Sequence, residues 1–312
     1  MDKTELKIGR RCKFRRMDAR QAVTTRQRGK NRKYPSMLGD ILAERLRKGQ
    51  SLEGYDLRKA EVNEAQLPGA VLIFGDYGGT GFRDSNLEGA DFSASYMPGA
   101  DLGESDLRQL RMIGSQMSGG NFGEADASGA DFRNSDLTGT MWEEASAVGA
   151  DFRGSILVRA HFEDADLRNA NFEGASLRGA SFEGANLEGA NLRGANLSGT
   201  HIEVAILAKA DLRGAQLVDS YLQDSVFDGA DLRDADLSGA DTTGVSIRKA
   251  NLKNACLDGT LLAELVSRTI WKSKKTAKKT EKKSAKKSAK KSAKKSAKKS
   301  AKKSAKKSAK KS

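Results

Sequence analysis

Two histidines, His161 and His201, a glycine-rich stretch from Gly75 to Gly81 and a long succession of carboxylates are the residues of this 312-residue chain whose types could support chemistry. Histidine offers metal ligation or proton transfer, but two histidines share one ion only when a fold brings them within a few ångströms. Gly75-Asp76-Tyr77-Gly78-Gly79-Thr80-Gly81 resembles a phosphate-binding loop, yet no Gly-Lys-Ser/Thr follows it. The carboxylates recur at a fixed spacing instead of converging on one place, so no general acid and base pair can be assigned. What remains is electrostatic chemistry. The sequence points to an interaction protein and away from an enzyme, with no catalytic residue, no metal-ligand set and no cofactor expected.

Charge is divided sharply along the chain. Residues 1–48 carry 16 basic and 5 acidic groups, residues 49–267 carry 17 and 35, and residues 268–312 carry 22 and 1, within an overall balance of +14. An acidic body between basic arms suits polyanion binding by the arms and a cationic partner for the body. Cys12 and Cys256 are too few and too far apart for a disulfide framework, which fits a reducing compartment. The start lacks the apolar stretch of a secretory signal and no run is long enough to span a bilayer. A cytoplasmic or nucleoid-associated protein with no membrane partner is the expectation.

The element that must position these groups is a repeat. From Leu52 to Leu262 every residue whose number ends in 2 or 7 is apolar or nearly so, 43 positions without an insertion. Two residues earlier stands Ala, Ser, Thr or Gly almost throughout, as at Ala165, Ala170, Ala175 and Ala180. A period of five fits neither a helix nor a strand: five helical steps leave the side chain ~140° off face, and an odd step in a strand swaps sides. Each pentad must therefore contain a turn, for which the frequent glycine two places after the apolar residue is suited. Such a chain winds as a solenoid around a stack of like residues.

Runs such as Ala-Asn-Leu-Glu-Gly (185–189), Ala-Asn-Leu-Arg-Gly (190–194) and Ala-Asp-Leu-Arg-Asp (230–234) resemble the pentapeptide-repeat family, and the register covers about two-thirds of the chain. The resemblance implies an all-β solenoid, a right-handed quadrilateral β-helix of about eleven coils with four pentads to a coil. At ~4.8 Å between stacked strands the rod would be ~50 Å long. Some family members dimerise through a C-terminal segment, and some are DNA mimics that occupy type II topoisomerases such as gyrase.

Open ends of a β-helix expose strand edges and need covering. Residues 36–49 read as a capping helix with a Ser36 cap, an apolar face at Leu38, Ile41, Leu42 and Leu46, and Gly49 as its stop. The repeat occupies 50–262, and 260–271, begun by Thr260, reads as a second helix that caps the rod or forms a homodimer. Trp142 is large for the core column, with the unusually small Ala127 and Ala147 as compensation, and Thr242 weakens one late coil. Val71, Ile73 and Phe74 should form an outward apolar patch that the N-terminal segment or a partner covers.

If each coil has 20 residues, the charges fall on four faces, centred on the inward residues 52, 57, 62 and 67 and their 20-residue repeats. The third face then carries 15 acids against Arg83 alone, whereas the other three are nearly balanced. Its acids form two columns. Glu143, Glu163, Glu183 and Glu203 make one; Glu64, Asp84, Glu104, Glu124, Glu144 and Asp164 make the other. Stacked like charges repel, so stability alone does not favour this stripe, and it is the candidate surface for a protein with a basic groove. On the first face Arg133, Arg153, Arg213 and Arg233 each follow an aspartate by two residues, which predicts a neutralised ladder. His161 and His201 share a column two coils apart, ~10 Å, too far to ligate one metal.

The arms complete the reading. Residues 272–312 consist of lysines with Ser, Thr, Ala and the single acid Glu281, ending in seven Ser-Ala-Lys-Lys repeats, and are expected to be disordered alone. Lys274, Lys275, Lys278, Lys279, Lys282, Lys283, Lys286 and Lys287 suit phosphate neutralisation without base reading. This composition resembles the tails of linker histones. Residues 1–35 form a second cationic arm with Arg10, Arg11, Lys13, Arg15 and Arg16. Two functions follow: a non-enzymatic scaffold whose tail binds nucleic acid non-specifically while the acidic face binds a protein, or a DNA-mimicking modulator of a type II topoisomerase, gyrase.

Overall fold

The structure, a computed structural model, describes residues 37–264. Both basic arms, 1–35 and 272–312, lie outside the described residues, as do Ser36 and most of the expected helix at 260–271. Parallel β-bridges join residues 20 apart in unbroken succession from Asp56↔Asp76 to Asp236↔Cys256. A coil therefore holds four pentads. The outward residue before each inward one makes the bridge, and a two-residue turn follows the inward one.

The hydrogen bonds show why the period is five. Each inward residue donates its N–H to the carbonyl 19 positions ahead, as Leu57 to Asp76 (2.9 Å), and the residue before it donates 21 positions back, as Asp76 to Tyr55 (2.9 Å). At most corners the residue three after the inward one donates back to it, as Ala90 to Leu87 (2.9 Å), and at others its N–H goes to a serine hydroxyl of the next coil, as Ala65 to Ser85 Oγ (3.0 Å). Backbone groups that a lone pentad would leave unpaired are thus satisfied by the coils above and below.

Inside, like stacks on like. Phe122, Trp142, Phe162 and Phe182 form one column with successive ring centroids 3.9, 5.6 and 5.0 Å apart. Phe132, Phe152 and Phe172 form the facing one at 5.0 and 4.7 Å, and the two columns meet edge-on. Ala127 and Ala147 are buried in the fourth-face column at the level of Trp142, whose Nε1–H donates to Thr140 Oγ1 (2.8 Å). Hydroxyls at the small inward position are also satisfied: Ser95 donates to the Leu72 carbonyl and Ser105 to that of Phe82.

An α-helix, α1 (Met37–Arg47), precedes the coils and ends with Gly49 at φ 69°. Leu42 and Ala43 join the same apolar cluster as Leu52, with Leu38 and Leu46 partly buried against it. Ile41 is instead 42% exposed, which corrects its place on the apolar face: Ile41 and Ala43 flank Leu42 at ~100° on either side, and packing against the first coil buries the Ala43 side. At the other end residues 261–264 are helical, and Thr260 Oγ1 accepts the Ala263 N–H (3.1 Å), as an N-cap does. Thr242 does not simply weaken its coil. It is buried, and its hydroxyl accepts the N–H of Leu262 (3.1 Å), tying the last coil to the segment that follows. Val71 and Phe74 stand exposed, and the N-terminal segment expected over them lies outside the described residues. No helix among the described residues is long and apolar enough to cross a membrane.

Candidate interaction face

The 20-residue register places the third-face acids in stacked order on one side of the rod. Glu143, Glu163, Glu183 and Glu203 occupy the first turn position, directly after the inward residue, and Glu104, Glu124, Glu144 and Asp164 the second. The second position is where the backbone turns left-handed. Glu64, Asp84, Glu104, Glu124, Glu144 and Asp164 all have φ between 56° and 59°, a region that costs an ordinary side chain ~1–2 kcal/mol relative to glycine. The sequence reading assigned this corner to glycine and so missed the strain. Gly184 and Gly244 hold the same position further along the face, and Lys59, Phe74, Gln109 and Arg159 adopt it on the other faces, so the strained corner belongs to the repeat and what distinguishes the stripe is its stacked like charge.

The face has one internal counter-ion. Arg83 pairs with Glu104 on the next coil and lies 4.0 Å from Asp101, and the Glu104 carboxylate raises the Arg83 pKa. This takes Glu104 out of the free stripe, a pairing across coils that residue spacing alone did not indicate. Glu124, Glu144 and Asp164 project as exposed carboxylates.

The histidines stand beside the stripe. His161 Nδ1 is 3.2 Å from Glu163 Oε1, and His201 Nδ1 is 3.1 Å from Glu203 Oε1. The His201 ring stacks on Tyr221 at 4.6 Å. The two histidines do not share a partner; each has its own glutamate. Glu143, His161 and Glu163 each place one potential ligand atom within 4.8 Å of the others, and they are the residues of this face that could hold a metal ion.

On the first face four arginines are neutralised by the aspartate two residues before. Arg133, Arg153, Arg213 and Arg233 each form two-pronged bonds with the aspartate two residues before, and the same aspartate accepts the arginine's own N–H, pinning the turn. Hydrogen bonding from Arg213 and Arg233 holds the Asp211 and Asp231 carboxyls below the usual range, against desolvation. The glycine-rich stretch is likewise structural. A Cβ on Gly75 would stand 2.1 Å from the Tyr77 ring, whose hydroxyl donates to the Leu72 carbonyl, and burial pushes that phenol's pKa up.

Comparison with known proteins agrees with this architecture. A family model described as pentapeptide repeats matches residues 85–123, 115–141, 148–184, 185–224 and 225–262, more than half of the chain. The chain belongs to the pentapeptide-repeat family. That family is a structural repeat with the right-handed β-helix fold, and no catalytic family is indicated. Among solved structures, this pentapeptide-repeat protein is similar to HetL, a pentapeptide repeat protein involved in heterocyst differentiation regulation from the cyanobacterium Nostoc sp. strain PCC 7120. The identity is 29%, covering 71% of this chain and 96% of HetL, with a TM-score of 0.57. Trypsin-treated QnrB1, a plasmid-mediated fluoroquinolone resistance protein, matches at 18% identity over 62% of this chain and 90% of its own, with a TM-score of 0.42. No curated protein sequence matches the chain significantly.

Proposed function

We propose that this pentapeptide-repeat protein is a non-enzymatic interaction scaffold: the acidic third face receives a protein with a basic groove, and the basic arms bind nucleic acid without sequence preference, in the cytoplasm or on the nucleoid. The observation that carries the reading is the stripe of Glu124, Glu144 and Asp164, exposed like charges stacked one coil apart on a single face. A rod that needed only solubility would scatter its charge over its four faces. Lys274, Lys275, Lys278 and Lys279 at the start of the tail supply charge for phosphate but no aromatic group for stacking on bases, and Arg10, Arg11 and Lys13 in the N-terminal arm add a second cluster of charge.

A second reading uses the same face. A duplex of ~50 Å carries ~30 phosphates, and the third face carries a net −14, so it presents about half a duplex's charge to one side. Mimicry of DNA toward a type II topoisomerase such as gyrase is compatible with that density, although the tail would compete for the face.

Duplex-DNA binding by the full chain and by the chain without residues 272–312, across a salt series, tests the role of the tail. Binding by the full chain alone, falling steeply with salt, supports it; equal binding by both overturns it. For the face, the triple variant Glu143→Gln, Glu163→Gln, Glu183→Gln is compared with wild type in a gyrase supercoiling assay. Inhibition by wild type that the variant relieves favours the mimic, inhibition unchanged in the variant removes the stripe from that role, and no inhibition by either leaves the scaffold reading.

A further inference from the structure

Glu143, His161 and Glu163 come from two adjacent coils. Glu143 follows the inward Trp142, and His161 and Glu163 flank the inward Phe162 one coil later. One imidazole nitrogen and one oxygen from each carboxylate lie within 4.8 Å of one another. His161 Nδ1 and Glu163 Oε1 are 3.2 Å apart, close to the ~3.3 Å that separates two donors on one tetrahedral ion with bonds of ~2.0–2.1 Å.

A second observation is independent of that proximity. Glu163 Oε2 is covered and has no hydrogen-bond partner, while the side chain as a whole keeps 31% of its surface exposed. A carboxylate oxygen without a partner is open to a cation that His161 and Glu143 also reach. The arrangement also recurs 40 residues on. Glu183, His201 and Glu203 repeat the spacing of Glu143, His161 and Glu163, and Glu203 Oε2 is orphaned in the same way. Among the described residues only the first triad brings its ligand atoms together.

We infer that Glu143, His161 and Glu163 form a binding site for a divalent transition-metal ion, with zinc the best match. The two carboxylates balance the charge of a divalent ion, and the surrounding stripe raises the local concentration of cations. One imidazole with two carboxylates selects zinc or its neighbours over magnesium and calcium, which favour oxygen alone. Three protein donors leave the fourth position to water.

The test is isothermal titration of the metal-stripped full-length protein with zinc chloride, beside His161→Ala, His161→Gln, Glu143→Gln and His201→Ala. His161 is exposed, so its replacement leaves the core intact. His161→Gln keeps a hydrogen bond to Glu163 but supplies no nitrogen donor. The expected result is one tight equivalent of zinc in wild type and in His201→Ala, weakened more than ~10-fold in the other three. His161→Ala leaves the charge of the stripe unchanged, which separates ligation from general attraction. Wild type without zinc uptake, His161→Ala binding like wild type, or His201→Ala losing as much as His161→Ala would each overturn the site.

Discussion

Replacing Glu124 and Glu144 by glycine should stabilise the rod, although both changes remove side chains. Both residues sit at left-handed corners, with φ of 58° and 57°. Holding a side chain there costs ~1–2 kcal/mol. Glycine returns part of that gain because its unfolded chain is freer, by ~0.4–1 kcal/mol. The net is about 0.5–1 kcal/mol per site, so about 1–2 kcal/mol for the pair if coils one step apart contribute nearly independently. Loss of two stacked like charges acts in the same direction and fades as salt rises. The alanine pair, Glu124→Ala with Glu144→Ala, removes the same charges but keeps a Cβ at each corner. Urea unfolding of the three full-length proteins at low and high salt separates the two contributions. The midpoint should rise from wild type to the alanine pair mainly at low salt, and from the alanine to the glycine pair at both. A glycine pair no more stable than the alanine pair would refute the strain argument.

Other outcomes follow from the core and the first face. Gly75→Ala drives a Cβ into the Tyr77 ring and should cost ~1–3 kcal/mol by thermal or urea unfolding, whereas Gly69→Ala, at an open corner with φ 65°, meets only backbone strain. Trp142→Ala empties the stack between Phe122 and Phe162 and should cost ~3–5 kcal/mol, with loss of the near-ultraviolet dichroism of the aromatic column. Asp211 and Asp231 have carboxyl pKa values lowered by their arginines, so their contribution is present above the unfolded value of ~4 and is lost as pH falls through the lowered folded values. The double variant Asp211→Asn, Asp231→Asn should therefore be less stable near pH 7 and show a shallower loss of urea midpoint between pH 5 and 2 than wild type.

How far the site could be read from the sequence differs from residue to residue. That Phe162 faces inward and Glu163 outward follows from the pentad alone, because burying the apolar residue outweighs any local preference. The pairing of Arg233 with Asp231 was equally legible, since two residues on one turn need no knowledge of the next coil. Pairing of Arg83 with Glu104 was not, because it depends on how coils stack and which way a long side chain leans. Ile41 and Ala43 exchanged places for a similar reason: both suit a helix, and only packing against Leu52 and its neighbours chose between them.

The sequence by itself determined the inward columns, the segregation of acids to residues that recur every 20 positions, and the basic composition of the arms, because these depend only on residue type and period. The tertiary structure decided what the period leaves open. It closed the coil at four pentads through bridges from residue i to i+20, and turned the backbone left-handed beneath Glu124 and Glu144. It also carried Glu143 to within reach of His161, 18 residues away. The physical reason is that a hydrophobic period specifies inside and outside, whereas the number of pentads per coil and the neighbours across coils are set by hydrogen bonds between segments distant in sequence.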